Sequence, residues 1–313
     1  MNKQDLKSIK ENDYALPEGC DLQQLITELE ELLASTDLHL REGSFLTFAH
    51  WMEAGHFTDD EMIALGNRLR AKLRVGLGTA NTDTSFLRSY AALVLAVILE
   101  VNHQFESGSL EGRDAFLDEQ QTVEWLDDVL DCFSQEKDRR GFVPEKGWTH
   151  TIAHESDLLA ALAQSSRLQG EHLQRILEAI SANLREPTDT TYHFDEDERL
   201  AKVVIDILYR NILEMPALRA WIEPLTHRLD GAEWKESLKL AACDFGNNCA
   251  RVNTRDFLRS LYFQIASGPR RSSEAYLAAR YERGISVKDE LLVELHSALR
   301  AIDSYFYADE QGS

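Results

Sequence analysis

Lys146-Gly-Trp-Thr-His-Thr-Ile-Ala-His-Glu-Ser-Asp-Leu-Leu159 reads as a buried helix carrying three polar side chains on one face. His150, His154 and Asp157 are four and three residues apart. At about 100° per residue, His154 projects about 40° from His150 and Asp157 about 20° to the other side, a narrow wedge beside the apolar stripe. The same three- and four-residue apolar spacing recurs along most of the chain, whereas alternating strand-like runs are scarce. The expected fold class is therefore all-α.

Working outward, Leu22, Leu25, Ile26, Leu29, Leu32 and Leu33 form one stripe, and Phe45, Phe48, Trp51 and Met52 a second. Met62, Leu65, Leu69 and Leu73 form a third, with Asp59 expected to cap it. Asp83 or Thr84 is the expected cap of the next helix, through Phe86, Tyr90 and Val94. An acidic helix follows around Phe116 to Phe133. The polar run Lys137 to Gly147, with two glycines and a proline, reads as a loop leading into the histidine helix. Downstream, helices are expected at Leu173–Leu184, Glu196–Leu213, Leu218–Leu229, Ala232–Phe245, Thr254–Ile265, Ser273–Tyr281 and Val287–Tyr305, with a polar tail from Ala308 to Ser313. Helix pairs at loosely 35 to 45 residues fit a HEAT/armadillo-like α/α superhelix of stacked antiparallel pairs in a single elongated domain. Its expected divisions are an N-terminal helical cap at 1–40, a core at 41–221 and a C-terminal extension at 222–313.

The 313 residues hold 33 Lys plus Arg against 54 Asp plus Glu, a formal net charge of −21. So acidic a chain repels nucleic acid and anionic membranes on average, and neither partner is expected. The Arg251–Arg283 section, with seven arginines, is the one stretch suited to an anionic partner. Cys20, Cys132, Cys243 and Cys249 show no metal-finger spacing and are expected to be reduced thiols. The first residues lack the apolar core of a signal peptide, and the longest apolar run, Tyr90 to Leu99, has the length of a buried helix. A cytoplasmic location is expected. Gly-rich phosphate loops, G-x-S-x-G elbows and cysteine–histidine nucleophile motifs are absent, which argues against nucleotide hydrolysis and serine or cysteine catalysis.

Four blocks, Asp83-Thr-Ser-Phe-Leu-Arg-Ser-Tyr90, Glu136-Lys-Asp-Arg-Arg-Gly-Phe-Val143, Lys146-Gly-Trp-Thr-His-Thr-Ile-Ala-His154 and Asp195-Glu-Asp-Glu-Arg-Leu-Ala201, match in order and spacing a bacterial family designated domain of unknown function 2785. The chain resembles that family over roughly Phe45 to Trp221. One departure is visible: Glu155 and Ser156 stand where the family usually has Gly and Ala. The resemblance implies a helical-repeat fold and gathers Asp83, Arg88, Asp138, Arg140, Lys146, Trp148, His150, His154, Asp157, Asp197, Glu198 and Arg199 as parts of one constellation.

Three uses of these residues stay open. His150, His154 and Asp157 have the spacing to hold a divalent metal such as zinc, the basis of a metal-dependent hydrolase or lyase. They equally suit a structural polar network, or metal-free acid/base or ligand binding. Glu155 follows the second histidine, so the arrangement is not that of a zincin. Lys146 and Trp148 at the helix entrance suit an anion or a planar ligand. The leading expectation is a binding or scaffold module for a protein partner or small-molecule ligand.

Overall fold

The computed structural model describes residues 1–109, 114–238, 244–268, 275–303 and 306–307, the side chains of 275–277 excepted. Cys243 and the tail 308–313 lie outside these residues. Among the described residues the chain is all-α, with thirteen α-helices, a 3-10 turn at Trp234–Leu238 and one two-stranded hairpin. They group into two compact units, Met1–Leu162 and Ala163–Ser313. The divisions expected at 40/41 and 221/222 fall inside the helices Leu38–Glu53 and Met215–Leu225. Family resemblance, rather than a break in packing, had suggested them.

Unit 1 contains α1 (Lys3–Glu11), α2 (Leu22–Leu32), α3 (Leu38–Glu53), α4 (Asp59–Lys72), α5 (Thr84–Glu106) and α6 (Glu119–Gln135). Strands β1 (Phe142–Val143) and β2 (Gly147–Trp148) and most of α7 (Thr151–Gln164) complete it. Helix α5 is its centre: α3 and α4 pack on it, and Ala91, Ala92, Leu95, Ile98 and Leu99 are fully buried. At 23 residues α5 is long and apolar enough in composition to cross a membrane, but 78% of its most apolar window is buried within the protein. Its apolarity is that of a core helix. Ser85, Arg88 and Ser89, which precede its longest apolar run, are buried as well.

Capping differs in two places from expectation. Thr58, not Asp59, caps α4, forming a reciprocal capping box with Glu61. Asp83 stands at the start of α5 without a side-chain bond to its amides, because its carboxylate is taken up by Lys146.

Unit 2 contains α8 (Gly170–Arg185), α9 (Glu196–Leu208), α10 (Met215–Leu225), α11 (Phe245–Ala266), α12 (Ala275–Glu282) and α13 (Lys288–Ile302). Helix α11 packs on α8, α9 and α13, and α10 on α8 and α13. Within the helix expected at Ala232–Phe245, Trp234–Leu238 form a 3-10 turn instead, pinned by the Trp234 indole, which donates to the Leu225 carbonyl at 2.9 Å, while 239–243 lie outside the described residues. Asp244 then caps α11, which therefore begins well before the expected Thr254.

Candidate functional site

The residues just before α7 do not continue its helix. Strand β2 pairs antiparallel with β1, Phe142 opposite Trp148 and Val143 opposite Gly147. Gly147 has φ +82°, and a Cβ there would lie 3.0 Å from the Leu38 methyls, so glycine is required on two counts. The amides of Thr149 and His150 both donate to the Gly141 carbonyl, at 2.9 and 3.0 Å. That commits them to the hairpin, and His150 turns into the left-handed region at φ 45° before α7 starts at Thr151. The expected continuous helix through His150 is corrected accordingly. The His150 carbonyl still accepts from the His154 amide at 2.8 Å, and the turn brings the two imidazoles to 5.4 Å between ring centroids.

A series of aromatic contacts results. Phe142 stands edge-on to Trp148 at 4.9 Å, and Trp148 stacks flat on His150 at 4.4 Å with 8° between planes. His154 follows, with Tyr90 edge-on to it at 5.2 Å. The series runs from Phe142, 43% exposed, through half-buried Trp148 and His150 to fully buried Tyr90. Tyr90 donates its hydroxyl to Glu42, and burial, aided by the Glu42 charge, pushes its pKa above the ordinary phenol value.

Fully buried Arg41 on α3 braces this arrangement from behind. Its Nη2 donates to the carbonyls of Lys146 at 3.0 Å and Trp148 at 2.8 Å, while the guanidinium lies over the rings of Phe86 at 4.1 Å and Tyr90 at 4.9 Å. Nη1 meanwhile donates to the Ser35 carbonyl at 2.5 Å, so the planar guanidinium holds three carbonyls at once, and the two aromatic faces stabilise the charge out of water. At the rim, Lys146 Nζ bonds both Asp83 oxygens at 2.7 Å.

Beneath the hairpin lies a buried ionic layer. Arg88 and Glu136, both fully buried, pair bidentately at 2.6 and 2.9 Å, and Arg88 also donates to the Val75 carbonyl and the Thr84 hydroxyl. Asp138, also buried, grips Arg140 at 2.7 and 2.5 Å, which raises the Arg140 pKa. Arg140 reaches the Thr82 carbonyl at 2.8 Å, tying the segment to the start of α5. Glu155 is buried beside Glu136, Arg88 and Arg139; desolvation first, then the Glu136 charge, pushes its carboxyl well above the usual range. Burial likewise pushes the Cys132 thiol up to about 12, which leaves it protonated and unreactive near neutrality.

The network also places a proton on Nδ1 of His154. Ser89 Oγ contacts both the Thr149 carbonyl and His154 Nδ1, the latter at 2.7 Å. A carbonyl only accepts, so the single serine proton goes to Thr149 and His154 Nδ1–H donates to Ser89. Half-buried Asp157 lies one helical turn further along α7. Among the described residues no group of three or more His, Cys, Asp or Glu side chains is arranged to hold a metal ion. The flat stacking of His150 on Trp148, outside the helix, removes the shared helical face on which the zinc expectation rested.

The fourth block opens α9 in unit 2 and is a local structure there. Asp195 takes the left-handed conformation, and Glu196, nearly fully buried, accepts from the amides of His193 at 3.0 Å and Phe194 at 2.8 Å. Asp197, Glu198 and Arg199 follow in the first turns, and burial raises the pKa values of Glu196 and Asp197.

Asp83, Arg88, Asp138, Arg140, Lys146, Trp148, His150 and His154 are thus joined around one hairpin in unit 1. Glu136, Glu155, Ser89 and Arg41 were not singled out from sequence. Glu136 and Ser89 sit inside the matching blocks and Glu155 at the one departure from the family, so a signal existed for three; Arg41 lies before the blocks and carries none.

A family model described as protein of unknown function (DUF2785) matches residues 73–263. The match contains all four blocks, beginning and ending later than the expected Phe45 to Trp221. Neither a curated protein nor a solved structure matches the chain. With more than half of its length and its whole hairpin inside the matched region, the chain belongs to the DUF2785 family.

Proposed function

We propose that this protein is a binding module that engages a protein partner through the face formed by Phe142, Trp148 and His150. The observation that supports it is the fixed aromatic stack: an exposed Phe142 and half-buried Trp148 and His150, ring against ring, on a hairpin braced by Arg41. Aromatic side chains held in one conformation bring contact area at little ordering cost, which is what interface anchors supply. The buried ionic layer below fits this use, because such pairs add little net stability over apolar packing but fix geometry. Packing of α3 with α5, α8 with α10 and α9 with α11 is what stacked helix pairs of an α/α superhelix would give, a scaffold architecture. The free thiols of Cys20, Cys132 and Cys249 accord with a reducing, cytoplasmic setting.

The test is affinity capture from extract of the source organism with the wild-type chain and with a Lys146→Ala, Trp148→Ala variant, followed by titration of the purified partner. Trp51, Trp125, Trp221 and Trp234 are buried, so a change in tryptophan emission on binding reports Trp148. A partner captured equally well by both proteins overturns the reading.

A further inference from the structure

Helices α1 and α3 enclose a groove of about 340 Å³ that lies outside the family-matched region, and its chemistry is asymmetric. The floor is apolar, made by Leu46, Tyr14 and the edge of buried Leu6, which packs directly over Gly43 of α3, where a Cβ would come 3.0 Å from its methyl. The rim carries Lys3, Lys7 and Lys10 in a chain whose net charge is −21. Lys3 is paired with Asp37, and Lys7 stands 3.6 Å from Glu11 in a mutually exposed pair. Lys10 has no carboxylate partner among the described residues. The one carboxylate in the lining, Glu42, accepts from the Tyr90 hydroxyl and keeps its negative charge, so the positive character of the rim rests on Lys10.

We propose that this groove binds an amphipathic monoanion, a medium-chain carboxylate whose head pairs with Lys10 beside Tyr14 and whose tail lies along Leu6 and Leu46. Lysine ammoniums are compact point charges suited to a single carboxylate, while the apolar floor takes the chain out of water. Helix α1 between Lys3 and Lys10 spans about 10 Å, the length of an extended medium-chain acyl group. The volume falls within the range of small-molecule pockets.

Titration calorimetry of the full chain with octanoate tests this. Saturable 1:1 binding is expected, weakened about tenfold or more in a Lys7→Gln, Lys10→Gln variant whose melting temperature is unchanged, and unaffected by Trp148→Ala. Octanol binding as tightly as octanoate, octanoate failing to bind, or the double variant retaining full affinity would each overturn the proposal.

Discussion

Glu155 carries the strongest pH dependence expected of the hairpin site. Its carboxyl is buried, one oxygen has no hydrogen-bond partner among the described residues, and desolvation with the Glu136 charge raises its pKa well above 4.5. The guanidiniums of Arg88 and Arg139 pull the other way. Between the ordinary value and the raised one, the native state keeps a proton that the unfolded chain has released, so stability falls as pH rises through that window. Glu155→Gln cannot ionise. Its stability relative to wild type is expected to improve steadily as pH rises above the ordinary carboxylate range in urea denaturation; a difference independent of pH would contradict the assignment. The Arg88–Glu136 pair makes a second prediction. Arg88→Met or Glu136→Gln alone should cost about 3–5 kcal/mol, since each strands a buried partner, while the double variant should cost less than the sum. Additive losses in the denaturation midpoints would show that the two side chains are uncoupled. An internal ion pair for Arg88 is what its place in the α5 stripe suggests, but its partner was not legible in sequence: 48 positions separate Arg88 from Glu136, and no local period records a contact at that distance.

At the scale of elements, the helices were legible and the hairpin was not. The stripe from Leu22 to Leu33 becomes α2 almost residue for residue because three- and four-residue spacing survives burial of one face. Helix α1 was missed because only Leu6 and Ile9 in its nine residues are buried. Strands of two residues carry no alternation to read, and the left-handed turn at His150 directly precedes the helical run from Thr151, whose spacing extends back over it. The histidine wedge was thus right in bringing two imidazoles together and mistaken in the backbone that does so. Arg41 makes the hairpin's fixed shape testable. Arg41→Lys keeps the charge but loses the planar guanidinium whose Nη1 and Nη2 together hold the Ser35, Lys146 and Trp148 carbonyls. Amide exchange at Thr149 and His150 should accelerate about tenfold, equivalent to about 1.4 kcal/mol of local opening, with α9 unaffected. Unchanged exchange at these two amides would mean that Gly141 alone holds the strand.

For the whole molecule, charge and burial act in opposition. A net charge of −21 favours expansion, and screening relieves it. Raising ionic strength from about 0.01 M to about 0.15 M shortens the Debye length from about 30 Å to about 8 Å, so the melting temperature should rise by a few degrees. A fall on adding salt would show that ion pairs such as Arg74 with Asp128 and Asp131 outweigh the general repulsion. The division between units at 162/163 was illegible for a physical reason: it falls within α7, where Leu158 to Ala163 are all buried, so no polar linker marks it. The claim on which the functional reading stands is that the Trp148–His150 stack serves recognition rather than stability. The direct measurement is melting temperature alongside partner capture for a Trp148→Ala, His150→Ala variant. The account predicts a melting temperature within about 4 °C of wild type, the shift expected for about 1 kcal/mol in a domain of this size, with capture abolished. A melting temperature lowered by about 10 °C or more, with capture retained by the protein that remains folded, would contradict it.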